Sequence, residues 1–311
     1  MKAVFMGSSA FALPALAALV SDQYDVIAVY TQPDKKAGRG QHIMSCPVKQ
    51  YAVTKGLTVI QPENFRDHDA VAKFEALKPD IVIIAAYGQI LPEAILAVPV
   101  YKCINIHPSL LPRYRGPSPI AEAIKNGDAV TGVTIMLVEK KVDSGPILAQ
   151  RQITIKEEDT TDILSEKLAE LGAQLLIETI PRWVSGNIIP LAQGECNASY
   201  TKMALREDGE LDWKLPAIQL WRNVKAYHPW PGCFTTWKDR RLKITKVIPL
   251  PAQNGGTVGE VSTLSRTEPA SIAVRTGDGL LGIICVQPEG KREMTAEEFI
   301  AGHHDFIGSI L

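Results

Sequence analysis

The sequence predicts an α/β protein with two domains, in which a mostly parallel, doubly wound sheet comes first and a small β-barrel follows. Three observations lead to this prediction. The chain has 311 residues, which exceeds the usual size of one domain. In its first half, apolar strand-like runs alternate with helical patterns, as in βαβ units. After residue 205 the segments become short, β-rich and interrupted by glycines, as in a small barrel.

The opening of the chain is predicted to form a βαβ unit. Residues 2–6 and 26–31 are apolar runs typical of buried strands, and residues 13–19 between them have helical periodicity. Pro14 suits the first turn of that helix, where a missing N–H leaves no intrahelical bond unmade. The turn at Gly7 lacks both G-x-G-x-x-G and a Walker-type lysine, so this pattern gives little support to nucleotide-phosphate binding.

The other predicted elements of the first domain follow from the same two periodicities. We expect helices at 48–55, 69–77, 119–127 and 160–183, and strands at 57–60, 81–86, 103–107, 132–138 and 147–155. The run at 81–86 is apolar throughout, which is typical of a parallel strand buried on both faces. The last two strands alternate, and we expect them to be antiparallel.

A linker and a second domain are predicted after the long helix. Residues 190–204 are rich in Gln, Gly, Asn, Ser and Thr, which is typical of a surface linker. We therefore divide the chain into a first domain at 1–185, a linker at 186–204 and a second domain at 205–311. In the second domain we expect a helix at 212–227 and strands at 233–237, 242–249, 256–261, 272–275 and 280–287.

Composition narrows the possible classes of protein. A net charge of −1 argues against a uniformly basic nucleic-acid coat, and 46% hydrophobic with 22% charged residues argues against disorder. The five cysteines are far apart and lack a C-x-x-C pair, so no disulfide framework and no metal site are expected, and a reducing, cytoplasmic compartment fits. No stretch reaches about 18 uninterrupted apolar residues, so we expect no membrane span.

The densest polar pattern is the stretch 105–116, Asn-Ile-His-Pro-Ser-Leu-Leu-Pro-Arg-Tyr-Arg-Gly. In a strand, Asn105 and His107 lie on one face about 6.6 Å apart. Pro108 cannot donate to a sheet ladder and should end the strand there, at the edge where open parallel sheets bind ligands. His107 alone could equally be a hydrogen-bonded structural histidine, but the neighbouring Asn105 favours a catalytic pair.

Two further segments are candidate functional loops. Residues 32–42 form a long polar connection with glycines around Arg39. This connection is either a solvated loop or a mobile basic arm that closes on a phosphate-bearing partner. Residues 87–92 follow a buried strand and form either a pocket wall or an ordinary turn at the end of that strand.

Matching segments along nearly the whole chain indicate a resemblance to a known family. They are 4–8, 31–34, 37–40, 86–92, 105–116, 132–136, 143–145, 230–232 and 287–292, the last followed by Met294. By these segments the chain resembles the methionyl-tRNA formyltransferases. The segment 105–112 alone would indicate only the wider class of enzymes that use a formyl-folate, and the carboxyl-terminal segments narrow the resemblance to the tRNA enzymes.

The resemblance implies a Rossmann-like formyltransferase domain followed by an OB-like β-barrel. It implies transfer of a formyl group from the cosubstrate 10-formyltetrahydrofolate to the amino group of methionyl initiator tRNA, without a metal. The implied catalytic residues are Asn105, which donates to the oxyanion, His107, which donates or relays a proton, and Asp143, which orients the imidazole or a water. From its Asp-Ser-Gly context alone, Asp143 is more typical of a turn.

The resemblance also implies binding residues and partners. Those implied for the folate are Tyr87, Gly88, Gln89, Ile90 and Leu91 together with Ser109, Leu110, Leu111 and Pro112. Those implied for the tRNA are Arg39 and a basic cluster of Lys238, Arg240, Arg241 and Lys243, although exposed cations of this kind are as often merely solvated. We expect a monomer without a membrane partner.

The sequence departs from the family pattern at 8–10, at Lys140 and Lys141, at Ser144 and at His228. The two lysines matter most, because they flank the loop expected to line the pterin site. Two alternatives keep the folate chemistry but change the acceptor to an amino sugar nucleotide or to water, the latter giving a formyltetrahydrofolate hydrolase. A third is a catalytically silent RNA-binding protein, which the polar pair at a strand end disfavours.

Overall fold

The computed structural model describes residues 1–37, 42–252, 255–265 and 268–311. The chain packs as two compact units. Unit one contains Met1–Pro119, Val130–Thr154 and Leu164–Thr201, and unit two contains Ile120–Ala129, Ile155–Ile163 and Lys202–Leu311. The predicted domain limits at 185 and 205 stay predictions. Within the described ranges, no helix is long and apolar enough to cross a membrane.

The strands in the first part of the chain are β1 Lys2–Gly7, β2 Asp25–Tyr30, β3 Lys35–Ala37, β4 His42–Met44, β5 Val59–Ile60, β6 Ile81–Ala85, β7 Cys103–His107, β8 Val130–Leu137 and β9 Ile147–Thr154. The helices of this part are α1 Leu13–Ser21, α2 Pro47–Thr54, α3 His68–Leu77, α4 Glu93–Ala97, α5 Pro119–Asn126 and α6 Thr161–Val184. These bounds confirm the predicted alternation of strands and helices.

Seven of these strands form one sheet in the order β5-β2-β1-β6-β7-β8-β9. The pairs from β5 to β7 are parallel, and β8 is antiparallel to both β7 and β9. The central strands β1 and β6 are buried on both faces, which explains their unbroken apolar runs. The ends of β6 and β7 therefore meet at the carboxyl edge of the sheet, where the polar residues of 105–116 begin.

Helix α6 packs closely against the face of the sheet opposite Asn105 and His107. A Cβ atom added to Gly172 would lie 2.8 Å from Cγ2 of Ile106. Ile106 points to the other face of β7 from its two polar neighbours, as strand geometry requires. The glycine thus allows the close approach that supports the strand from behind.

The rest of the chain is β-rich, as predicted. Its elements are α7 Ala217–Ala226, β10 Cys233–Trp237, β11 Arg240–Leu250, β12 Val261–Thr263, β13 Ile272–Arg275, β14 Leu280–Pro288, β15 Met294–Thr295 and α8 Ala296–Gly302. The antiparallel sheet has the order β10-β11-β14-β13-β12, with β15 beside β14. Trp237, Phe299 and Phe306 meet edge to face in its core, with ring centroids 5.1–5.8 Å apart. Within the described residues β10 and β12 do not pair, so the structure shows an open sheet and no closed barrel.

Local backbone chemistry corrects several predicted boundaries. The strand predicted at 256–261 begins only at Val261, because Gly256 and Gly259 have φ angles of +94° and +87°, which no strand residue adopts. The helix predicted from 212 begins at Ala217, because Pro216 disfavours helical geometry in the residue before it. Helix α8 was not predicted, although its capping box of Thr295 and Glu298 signals a helix start.

Two short strands that were not predicted lie at the polar connection 32–42. Its two ends form the short antiparallel strands β3 and β4. Arg39, the residue implied for an arm that closes on tRNA, lies outside the described residues.

Candidate active site

Asp143 lies within reach of both polar side chains of β7. Its Oδ1 is 3.5 Å from Asn105 Nδ2, and its Oδ2 is 3.6 Å from His107 Nδ1. Asp143 follows β8, and the turn between β8 and β9 returns it to this edge of the sheet. The structure therefore brings together the three side chains that the resemblance implied, from two separate stretches of the chain.

The hydrogen bond of the other ring nitrogen fixes the tautomer of His107. Nε2 is 2.9 Å from the carbonyl oxygen of Tyr114, and the imidazole is almost fully buried. Because a carbonyl only accepts, Nε2 must carry the proton. In the neutral ring, Nδ1 is then a bare acceptor that faces a carboxylate oxygen. A proton on Nδ1 would point toward Asp143 Oδ2, which lies 3.6 Å away.

The carboxylate itself is held by the chain that follows the histidine. Gly116 N–H donates to Asp143 Oδ2 over 2.8 Å. Gly116 has a φ of +103°, and a Cβ atom there would lie 2.8 Å from the carbonyl oxygen of Thr201. A glycine is needed at this position for both reasons. Gly116 ends the sequence motif 105–116, but the motif did not indicate that its N–H donates to Asp143.

Two polar side chains, the buried Thr134 and the exposed Gln150, also fix the loop that follows β7. Thr134 Oγ1 donates to the carbonyl of Ser109 over 2.6 Å and accepts from Leu111 N–H over 3.1 Å. Gln150 Nε2 donates to the carbonyl of Leu111 over 2.8 Å. Ser109 and Leu111 are buried, whereas Leu110 and Pro112 are half-buried. No local sequence pattern indicated that Thr134 and Gln150 would contact this loop.

The second implied folate wall, residues 87–91, is tied to the ends of β1 and β2. Gln32 Nε2 donates to the carbonyls of Tyr87 and Gly88, both over 3.1 Å. The backbone N–H of Gln32 donates to Ser8 Oγ over 2.9 Å. Ser8, one of the departures from the family pattern, therefore helps to join three strand ends.

The side chains of this wall differ in their exposure. The ring of Tyr87 is buried in the core of unit one, where burial raises its pKa, and Leu91 is buried in the same core. Ile90 is 81% exposed, and Gly88 is exposed beside it. Gln89 is half-buried and donates to the carbonyl of Pro62 over 3.1 Å. Gly88 and Ile90 are therefore the two residues of this wall that are exposed to solvent.

The two lysines that depart from the family pattern tie the Asp143 loop to its surroundings. Lys140 Nζ lies 3.1 Å from Glu93, at the start of α4, and Lys141 Nζ lies 3.1 Å from Glu195. Both pairs are largely exposed, so each contributes little to stability. Hydrogen bonds from Lys141, and then from Arg115, lower the pKa of Glu195.

The basic cluster implied for tRNA lies on the β10–β11 hairpin. Lys238 and Asp239 form its two-residue turn with φ angles of +50° and +58°. Lys238 forms an ion pair with Asp305, an acid that the sequence did not place near it. Arg240 is exposed, and Arg241 and Lys243 share one face of β11, where Arg241 stacks 3.8 Å over the ring of Phe234.

Comparison with known proteins shows the class to which the chain belongs. The formyl transferase family matches residues 1–180, and the C-terminal domain of formyl transferases matches residues 205–304. The solved structure of an N-formyltransferase from Helicobacter canadensis in complex with folinic acid and dTDP-3-aminofucose has a TM-score of 0.67 over 93% of this chain and 99% of its own, at 19% identity. This likeness concerns the fold alone. Fold and site together define a formyltransferase.

Curated relatives identify the branch of this class. A methionyl-tRNA formyltransferase of Roseiflexus sp. (strain RS-1) is 46% identical over 97% of this chain and 92% of its own length. One from Caldanaerobacter subterraneus subsp. tengcongensis is 42% identical over the full length of both chains. The chain belongs to the methionyl-tRNA formyltransferase family.

Proposed function

We propose that this enzyme transfers the formyl group of 10-formyltetrahydrofolate to the free amino group of methionyl initiator tRNA. The observation that carries the proposal is the convergence of Asn105, His107 and Asp143 at the carboxyl edge of the sheet. An amide donor beside a proton-accepting pair is what acyl transfer to an amine requires. Relatives with the matching name support the choice of acceptor.

In the proposed reaction, the methionyl amine attacks the formyl carbon and a tetrahedral oxyanion forms. Asn105 Nδ2 has two N–H groups, and only one of them can face Asp143 Oδ1. The second is available to donate to the oxyanion. As the new C–N bond forms, the amine loses a proton to the acceptor pair of His107 Nδ1 and Asp143 Oδ2.

Collapse of the tetrahedral adduct breaks the bond between the formyl carbon and N10 of the folate. The proton held between His107 and Asp143 is delivered to N10, so that tetrahydrofolate leaves neutral at that nitrogen and the pair returns to its starting state. The hydrogen bond from Nε2 to the Tyr114 carbonyl stabilises the ring in both of its charge states. The cosubstrate supplies the activated one-carbon unit.

We further propose how the substrates are divided between the parts of the chain. Residues 1–185 hold the folate, between the exposed Gly88 and Ile90 on one side and the 109–112 loop on the other. Residues 205–311 bind the tRNA through the hairpin cations, and Arg39 closes on its acceptor end. The proposed enzyme acts as a cytoplasmic monomer without a metal.

The test is a comparison of acceptors under identical conditions. Formyl incorporation from labelled 10-formyltetrahydrofolate is measured with charged initiator tRNA, with a nucleotide-linked amino sugar and with water alone. We expect transfer to charged tRNA to exceed the other two. Faster formylation of the sugar, or release of formate at the same rate without any acceptor, would contradict the proposal.

A further inference from the structure

The turn that carries Asp143 has a backbone that needs external support. Asp143 itself has a φ of +49°, in the left-handed region that residues with a side chain adopt only when their surroundings hold them there. The position of its carboxylate depends on this backbone.

One side chain from a distant segment spans the turn. Gln193 Nε2 donates to the carbonyl of Asp143 over 2.9 Å and to the carbonyl of Gly145 over 2.7 Å. Both hydrogens of the amide are thereby used. A single carboxamide thus fixes the backbone on either side of Ser144.

A buried arginine fixes the orientation of that carboxamide. Arg115 Nε donates to Gln193 Oε1 over 3.0 Å. Because a guanidinium only donates, the oxygen of Gln193 must face it and the nitrogen must face the two carbonyls. Arg115 is completely buried, and its Nη1 donates to Glu195 over 3.0 Å and to the hydroxyl of Tyr200 over 2.8 Å.

The same short segment of chain therefore controls Asp143 twice. Gly116, next to Arg115, donates its N–H to the carboxylate. Arg115 acts on the backbone of Asp143 through Gln193. The position of the Asp143 side chain thus depends on Gly116, and the position of its backbone depends on Arg115.

We infer that Gln193 is a positioning residue for Asp143, and that Arg115 sets its orientation. The inference rests on the proposed role of Asp143 in proton transfer. Loss of the clamp allows the carboxylate to move away from His107, and misplacement of a reacting group by about 1 Å can cost on the order of 100-fold in rate. Substrate binding does not depend on that distance, so kcat should change and KM should not.

The experiment compares Gln193→Ala and Gln193→Glu with Gln174→Ala, a control on an exposed glutamine of α6. Single-turnover formylation rates, KM for both substrates and Tm are measured. We expect Gln193→Ala to lower the rate about tenfold or more. Gln193→Glu, of the same size, should do the same because a carboxylate oxygen would then face two carbonyls. Both KM values should stay within about twofold, and Gln174→Ala should behave as wild type.

A double-mutant cycle with Asp143→Asn separates positioning from a general structural role. If Gln193 acts through Asp143, adding Gln193→Ala to Asp143→Asn should change the residual rate by less than about twofold. An equal loss in both backgrounds, or a rate that falls only with the folded fraction, would overturn the inference. If Asp143→Asn is impaired while Gln193→Ala is not, the inference alone fails. If Asp143→Asn retains the full rate, the proposed role of Asp143 is wrong, and the inference about Gln193 is wrong as well.

Discussion

The network around Asp143 and the hairpin of β10 and β11 hold their charges in opposite ways. Around Asp143, the buried imidazole of His107 is hydrogen-bonded to a backbone carbonyl, and the buried guanidinium of Arg115 is hydrogen-bonded to the side chains of Gln193, Glu195 and Tyr200. On the hairpin, Lys238 and Arg240 are exposed. Proton transfer requires fixed distances, whereas attraction of a phosphate backbone requires only charge near a surface. We therefore expect a single substitution to cause a large loss of activity around Asp143 and a small, additive loss of tRNA binding on the hairpin.

The largest expected effect is at Asn105, the proposed oxyanion donor. Asn105→Ala should lower kcat about 10²–10³-fold, because removal of one such donor costs roughly 2.7–4 kcal/mol of transition-state stabilisation. Single-turnover formylation of charged tRNA measures the loss, with Asn187→Ala, an exposed asparagine, as control. A rate within threefold of wild type would show that another group stabilises the oxyanion.

On the hairpin we expect a graded, salt-dependent effect. The double variant Arg241→Ala with Lys243→Ala should weaken tRNA binding and reduce the slope of log affinity against log salt by about 0.7–0.9 per lost phosphate contact. Lys238→Ala is the matched control, and it should have less effect because Asp305 already compensates its charge. An unchanged slope combined with a loss of kcat at saturating tRNA would contradict a phosphate-binding role.

A smaller effect is expected at Lys141, which shares a feature with each of the two regions. Lys141 is exposed like the hairpin cations, yet it contacts Glu195 in the network that contains Arg115. Lys141→Ala should change kcat by no more than about twofold, because exposed ion pairs contribute little. A tenfold loss in the same assay would show that the exposed edge of the network matters as much as its buried part.

The smallest expected effect is on the pH dependence of stability, through the pair of Asp162 and His228 in unit two. Burial alone would raise the pKa of Asp162, but hydrogen bonds from Thr160 and His228 outweigh it and lower the pKa below its ordinary value of 3.8. A lowered pKa stabilises the folded state above the ordinary value, and this stability is lost as pH falls through the lowered one. Because the pair is two-fifths exposed, water limits the contribution to about 0.5 kcal/mol or less.

This dependence is measured by comparing the Tm of wild type and Asp162→Asn at pH 7 and at about pH 3, below the ordinary value. The difference between the two proteins should shrink at the lower pH. A difference that grows on acidification would reverse the assigned sign.

The fold could be predicted wherever apolar periodicity was unambiguous. The structure confirmed the α/β class predicted from the apolar runs of β1 and β6 and the antiparallel pairing predicted for β8 and β9. After residue 205 it contains an open antiparallel sheet where we predicted a small β-barrel. Prediction failed where a single backbone dihedral outweighed side-chain character, as at Gly256 and Gly259. Closure of a sheet depends on the pairing of its two edges, which the strand pattern does not encode.

For the site, the sequence alone determined the chemistry and the tertiary structure decided how it is arranged. Asn105 and His107 could be paired from the period of a strand, because neighbours at i and i+2 share a face. The linker gave no sign that Gln193 would contact the carbonyl of Asp143, 50 residues away, or that Arg115 would be buried behind it. A hydrogen bond between distant residues depends on where the whole chain places its two ends, and no local pattern carries that information.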